Sequence, residues 1–302
     1  MSRELPVWRS LLYVPAHVGR FVERAHLRGA DCIQLDLEDA VPASEKDAAR
    51  AAVERAASLV RRGGADVMVR INRPLSLAVR DTEAAVGPDV DGFVIPKVHS
   101  PAHLQLLDEH IGEVEAKRGL PVGRLRLIAL VESAAAWPSI GAIAQASPRI
   151  VGLNMGAEDL ATDCGMEATA ETMLLPKQQL VHAAAAAGVL ALGLIGTTTD
   201  FADAEAFRAN ARRSRQFGFT GSSCIHPLQV EILNEVFAPS ADDVERARRI
   251  VAALDAGERN GLGAVAVDGR MVDAPIAERA RRVLVRDAAI AARKARLAGA
   301  AG

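Results

Sequence analysis

The sequence predicts a (β/α)8 TIM-like barrel over residues 1–238, followed by a C-terminal helix–hairpin–helix lid segment over residues 239–302. Three observations carry that expectation. Eight short apolar runs alternate with longer helical patterns over roughly 240 residues, the size of one such barrel. The first run leads into "AHVGRF" instead of the Gly-x-Gly-x-x-Gly of a doubly wound open sheet, which is the alternative arrangement. Charged residues gather just after the apolar runs, where a barrel collects its chemistry on one rim.

The eight strands are predicted at 10–14, 32–36, 67–71, 92–95, 127–131, 150–154, 190–194 and 221–225, each short, apolar and bounded by turn-forming residues. Helical patterns fill 43–62, 101–117, 177–187 and 202–217. Beyond the eighth strand, "PSADDVERARRIVAALDAGERNGLG" reads as a capped amphipathic helix stopped by glycines. "AVAVDGRMVDAP" reads as a β-hairpin, because Asp268-Gly269 separates two alternating apolar arms. Pro275 then opens a charged helix running toward Arg296. This appendix lies outside any barrel wall and is expected to act as a lid or to reach a neighbouring subunit.

Half of the 302 residues are hydrophobic, ample for a large core, and the net charge of -2 leaves no footprint for nucleic acid or an anionic membrane. Cys32, Cys164 and Cys224 are odd in number and far apart, so they make neither a zinc spacing nor a disulfide framework. With a charged start, "MSRELPVWRS", and no membrane-length apolar run, a cytoplasmic protein is expected.

The strand ends carry the functional signal. Asp36, Glu38 and Asp39 follow the second strand, Arg70 and Asn72 the third, and Lys97 the fourth. Glu132 follows the fifth, Glu158 and Asp159 the sixth, and His226 the eighth. Taken singly, an acid after a strand is commonly a helix cap or a solvated loop residue. By themselves the three acids after the second strand read first as a helix start, and second as a site that handles a cation or a proton. Five consecutive strands ending in such residues favour a site. Glu132 and Asp159 are hard oxygen ligands suited to Mg2+, with Mn2+ as a substitute and the other positions left to water and substrate oxygens. Arg70 offers a planar fork for a carboxylate, and the amides of Gly156 and Ala157 can hold a second carboxylate oxygen. Together they form a clamp for an α-keto acid on a divalent metal. Lys97 suggests a rival, a Schiff-base aldolase, but that chemistry needs a depressed lysine pKa, and acids crowd this rim. The remaining histidines show no ligand spacing.

These motifs resemble the citrate lyase β subunit and its stand-alone relatives in the HpcH/HpaI aldolase family, malyl-CoA and citramalyl-CoA lyases among them. The resemblance rests on "RSLLYVPA", "LDLEDAV", "VRIN", "IPKV", "LVESAAA", "GAEDL", "GFTGSSCIHPLQVEILNEVFAPS" and "GRMVDAP", in order along nearly the whole chain. It implies a barrel, a homotrimer or a multiple of one, and Mg2+-dependent cleavage or formation of a carbon–carbon bond in a 3-hydroxyacyl thioester. By motif it makes Glu132 and Asp159 the metal ligands and Arg70 the oxyacid-binding arginine. It places Glu38 and Asp39 behind them, holding metal waters and Arg70. Asp273 in "MVDAP" matches an aspartate supplied by a neighbouring subunit, with a role as general acid/base. Ala16 and Ser222 depart from the family pattern, on the side expected to carry the thioester. The implied partners are a keto acid (oxaloacetate, glyoxylate or pyruvate) and a CoA or acyl-carrier thioester. Two other readings remain open at this point, a thioester hydrolase and a non-catalytic subunit of a larger complex.

Overall fold

The structure is a computed structural model and describes residues 5–196 and 203–300. Its chain alternates strand and helix: β1 Ser10–Pro15, α1 Gly19–Ala25, β2 Cys32–Asp36, α2 Lys46–Arg61, β3 Asp66–Arg70, α3 Leu75–Ala85, β4 Gly92–Ile95 and α4 Pro101–Lys117. There follow β5 Arg126–Val131, α5 Ile140–Ala144, β6 Ile150–Met155, α6 Ala157–Cys164, α7 Leu174–Ala187, β7 Leu190–Ala191, α8 Ala204–Gln216, β8 Ser222–Cys224 and α9 Pro227–Val236. All eight strands run parallel in the order β7-β6-β5-β4-β3-β2-β1-β8. The two ends of that sheet meet through a parallel bridge between Leu192 and Gly221, where the Gly193 N–H donates to the Gly221 carbonyl at 2.8 Å. The predicted barrel is therefore the fold. β7 is shorter than the predicted 190–194, and closure rests on these few bonds.

Parallel strands covered by helices are buried on both faces, which explains their nearly continuous apolar sequences. Outward residues such as Ile33, Leu35, Val67, Phe93 and Leu127 join one large core under the helices, while Leu11, Cys32, Met68, Val94, Ile128 and Leu192 fill the ring from inside. Helix ends follow local chemistry. Ser100 caps α4 by accepting the His103 N–H, and Pro176 sits in the first turn of α7, which starts at Leu174, before the predicted 177. The predicted helix at 202–217 appears as α8, with residue 202 outside the described residues.

The chain divides into two units, Met1–Phe237 and Ala238–Gly302. The second contains α10 Ala241–Arg259, β9 Val265–Val267, β10 Arg270–Val272 and α11 Ala274–Ala300. Ser240 and Asp243 form a reciprocal capping box on α10. The hairpin turns through Asp268 at φ 50° and Gly269 at φ 72°, the left-handed pair that an Asp-Gly turn supplies. Leu254, Val272 and Ala277 form this unit's small core.

Candidate active site

Inward-facing positions recur every second residue along a strand, so each strand delivers its last inward side chain to the same rim. Along that inner face the character changes from apolar to polar. Above the apolar floor, Asn154 Nδ2 donates to Ser223 Oγ at 3.1 Å, and Ser223 Oγ donates to Gln34 Oε1 at 3.3 Å, linking β6, β8 and β2. One step further out lie Tyr13, Asp36, Arg70 and Glu132.

Arg70 is held by two acids. Its Nε and Nη2 donate to the fully buried Asp36 carboxylate at 2.8 and 2.6 Å, and its Nη1 lies 3.0 Å from Glu38 Oε2. The side-on edge of the fork is thus taken up by Asp36, and Glu38 stands against its other nitrogen. Its guanidinium also stands over the Tyr13 ring, 4.7 Å from the centroid. Asn72, named from the sequence as a rim residue, braces the same corner by donating to the Leu37 carbonyl and to Asp81.

Lys97 bridges the acids. Its Nζ lies 2.7 Å from Glu38 Oε1, 3.2 Å from both Asp39 oxygens and 3.9 Å from Asp159 Oδ1. Burial alone would lower its pKa, but Glu38 and Asp39 outweigh that and raise it. This is opposite to what a Schiff-base lysine requires. Glu38 is raised by burial despite Arg70, whereas Asp39, burdened by burial, is nevertheless lowered through Glu38 and Lys97. Lys97 also adopts φ 47°, rare for a residue with a side chain, while its N–H donates to Glu132 Oε2 at 2.7 Å.

Glu132 is buried at the end of β5, and its pKa is pushed up to about 8 by burial and by the charge of Asp159. A buried carboxylate whose ionisation is opposed by a neighbouring one is a place for a cation. Among the described residues no group of three or more His, Cys, Asp or Glu converges. The donor set therefore fits a hard divalent ion that takes one or two carboxylates and keeps positions for water and substrate, not a closed structural site. Gly156 is fixed by space: a Cβ there would stand 2.2 Å from Glu132 Oε1. Gly156 and Ala157 line the same cavity of about 170 Å3 as Arg70, Glu132 and Asp159.

Three neighbours escaped the sequence reading as site residues. Asp36 was seen only as part of an acidic run, yet it is the partner of the Arg70 fork. Lys177 on α7 lines the site and is buried, its Nζ donating to the carbonyls of Leu194 and, at 2.7 Å, Gly196. Burial lowers its pKa to about 7, opposed by the charge of Glu158. Tyr13 lines both this site and a larger cavity of about 790 Å3, walled by β1, α1 and the Ile225–Pro227 turn. Arg20, Arg24 and Arg28 border that cavity at four-residue spacing. Ser222, expected on the thioester side, lines the polar site instead and donates to the Ser223 carbonyl. His226 caps α9 by accepting the Leu228 N–H. Asp273 has the same kind of contact: its carboxylate accepts the Ile276 N–H at 3.3 Å at the start of α11.

The family model for HpcH/HpaI aldolase/citrate lyase matches residues 9–227. The chain belongs to this family. The citrate lyase subunit β of Leuconostoc mesenteroides subsp. cremoris is 35% identical over 91% of this chain and 92% of that protein. A (3S)-malyl-CoA thioesterase of Cereibacter sphaeroides is 34% identical over 98% of this chain and the whole of that protein. A crystal structure of the Mycobacterium tuberculosis protein CitE, in complex with magnesium, acetoacetate and coenzyme A, superposes with a TM-score of 0.74 at 31% identity, covering 92% of this chain and 97% of that one. Among the described residues, no helix of this family member is long and apolar enough to cross a membrane.

Proposed function

We propose that the protein is a Mg2+-dependent carbon–carbon lyase acting on a citryl-, malyl- or citramalyl-type thioester. Its products are a keto acid (oxaloacetate, glyoxylate or pyruvate) and an acyl thioester, and the reaction can run in either direction. The observation that carries this reading is the meeting of two cavities at Tyr13. One is small, acidic and lined by Arg70; the other is larger, mainly apolar and bordered by arginines. A thioester substrate has the same division, a compact oxyacid joined to a long arm that ends in phosphates. The CoA and magnesium held by the Mycobacterium tuberculosis relative support the same division of labour.

Glu132 and Asp159 would hold the metal, which when bound supplies Lewis acidity to the oxygen that becomes the keto group. Arg70 binds the oxyacid carboxylate through the N–H groups that its pair with Asp36 leaves over, and the amides of Gly156 and Ala157 take its second oxygen. Asp36 and Glu38 fix the guanidinium, so no orienting cost is left for the reaction itself. Lys97 holds Glu38, Asp39 and Glu132 in place. Asp273 is assigned the proton transfer at the thioester's α-carbon, supplied by a neighbouring copy in a trimer or a multiple of one. Mixing Asp273→Asn with Glu132→Gln protein, each inactive alone, should then restore activity in verified mixed oligomers; no recovery would leave Asp273 as the cap of α11.

Assay of purified protein with Mg2+ against citryl-, malyl- and citramalyl-CoA tests the reading. Acetyl-CoA plus a keto acid is the expected product pair. Free CoA plus intact hydroxy acid would establish the second reading, a thioester hydrolase, which the Cereibacter sphaeroides relative favours. No turnover of any of the three would point to a subunit dependent on others.

A further inference from the structure

A carbon–carbon cleavage of this kind makes two oxygens change character, and the groups named so far serve only one of them. The oxygen that becomes the keto group has the cation site and Arg70. The thioester oxygen takes up the electron pair of the broken bond and becomes an enolate, and no group has been assigned to it. Stabilising such an oxygen requires a hydrogen-bond donor fixed before the reaction begins. That donor must lie where the thioester arm enters the acidic site.

Tyr13 is the side chain at that junction. It is the inward residue of β1 between Leu11 and Pro15, and it borders both the apolar cavity and the polar one. Its ring is clamped from one face by the Arg70 guanidinium, which is itself locked by Asp36 and Glu38. Its hydroxyl makes no hydrogen bond to any described residue. Burial pushes its phenol well above the usual range, with Arg70 opposing and Asp36, Glu132 and Glu38 adding, so the proton stays on the oxygen at any working pH. A phenol held rigid, kept protonated and without a partner among the described residues is a donor suited to a ligand.

Building on the lyase reading, we propose that Tyr13 is a catalytic residue whose hydroxyl donates a hydrogen bond to the thioester carbonyl oxygen and stabilises the enolate formed on cleavage. The C2–C3 bond breaks and its pair moves into the enolate. The C3 hydroxyl loses its proton as that carbon becomes the ketone, and one proton is returned to the α-carbon. Tyr13 keeps its own proton throughout, so atoms and electrons balance with no further reactant.

The chain contains a single tyrosine, which makes the test clean. Replacing all tyrosine biosynthetically by 3-fluorotyrosine labels only position 13 and yields one fluorine resonance. Adding acetyl-CoA, or acetyl-phosphopantetheine as the arm common to acyl carriers, should shift that resonance in the purified protein; no shift with either overturns the contact. A shift with both places the contact at the thioester itself. Tyr13→Phe keeps the ring under Arg70 and removes only the donor. Its kcat should fall on the order of 100-fold, with KM and calorimetric affinity for oxaloacetate and Mg2+ unchanged. Exchange of the acetyl-CoA α-protons with solvent should slow by the same factor. A kcat within about three-fold of wild type, unchanged α-proton exchange, or weakened oxaloacetate binding would each overturn the proposal, the last because it would make Tyr13 a support for Arg70. Wild-type protein that fails to cleave any thioester would instead sink the lyase reading, and the fluorine shift would still report on the contact.

Discussion

The two ends of the barrel both bury charge, and they do so in opposite ways. At the N-terminal end the buried acids Asp31 and Glu115 have matched partners. Arg9 grips Asp31 through Nε and Nη2 at 2.7 and 2.8 Å, and Arg149 holds the fully buried Glu115 while also reaching Asp108. Burial would raise the Glu115 pKa, but Arg149 and the Leu125 and Gly123 amides hold it below the usual range. At the C-terminal rim, Asp36, Glu38, Asp39, Glu132 and Asp159 outnumber Arg70 and Lys97, and Glu132 is left with a pKa raised to about 8. Paired charge at one end supports the fold; unmatched charge at the other is what the proposed metal and keto-acid site would require.

The sharpest way to break this comparison is to neutralise one acid at each end. Glu132→Gln removes an acid that the folded protein prefers to keep protonated. With a folded pKa near 8 against an ordinary 4.5, the wild-type group costs stability as pH rises through that window. The variant should lose Mg2+-dependent turnover entirely, yet when metal-free at pH 9 unfold at higher urea than wild type, a gain on the order of a few kcal/mol. Wild-type turnover, or a loss of stability at pH 9, would show that Glu132 is an ordinary structural acid.

Glu115→Gln is the mirror experiment and should give the smaller, opposite result. It leaves the buried Arg149 with the partly buried Asp108 and the Leu125 carbonyl, a cost of about 3 kcal/mol. The folded variant should keep wild-type kcat. Because the folded Glu115 pKa is depressed, its stabilisation is present above the unfolded value and is lost as pH falls through the folded one. Urea unfolding at pH 7 and pH 4 should therefore converge for wild type and variant at the lower pH. A catalytic defect in the folded variant would mean that the two ends are not separable.

How much of this was legible in the sequence follows from the geometry of the elements. The barrel was legible because eight apolar runs at regular spacing leave few other arrangements, and the rim because polar residues ended strand after strand. Strand period two even marks which end residue faces inward. The same period hid the role of Asp36, since Asp36 and Glu38 differ by two and nothing in "LDLED" shows which one meets the Arg70 fork. Tyr13 was hidden in an apolar strand, "SLLYVP", where an aromatic reads as core. Lys177 was hidden for another reason: in "LLPKQQLVHAAAAA" both polar and alanine positions run round the helix, so no face marks its direction. Asp273 stays ambiguous because capping α11 and transferring a proton both call for an aspartate at that position.

Lys177 gives the finest test of the contrast, because it is a buried amine at the rim with no ion-pair partner among the described residues. At the N-terminal end, Arg149 stays charged because Glu115 and Asp108 surround it. Among the described residues Lys177 meets two carbonyls, those of Leu194 and Gly196, and its folded pKa falls to about 7 from an ordinary 10.5. Between those two values the unfolded chain keeps the proton and the folded chain releases it, so folding stability must rise with pH across that window. From pH 7 to pH 9 the expected gain is on the order of 1–2 kcal/mol, reduced by the carbonyls that favour the ammonium. Lys177→Met lacks the titrating group and should lose that rise, whatever its baseline stability. Glu132 titrates in an overlapping range with the opposite sign, but it is common to both proteins and cancels in their difference. Urea midpoints measured for wild type and variant at pH 7, 8 and 9 therefore isolate the lysine. Parallel pH profiles for the two proteins would mean that Lys177 stays charged at the rim, and that an unseen balance of charge extends to this wall of the site as it does to the other end of the barrel.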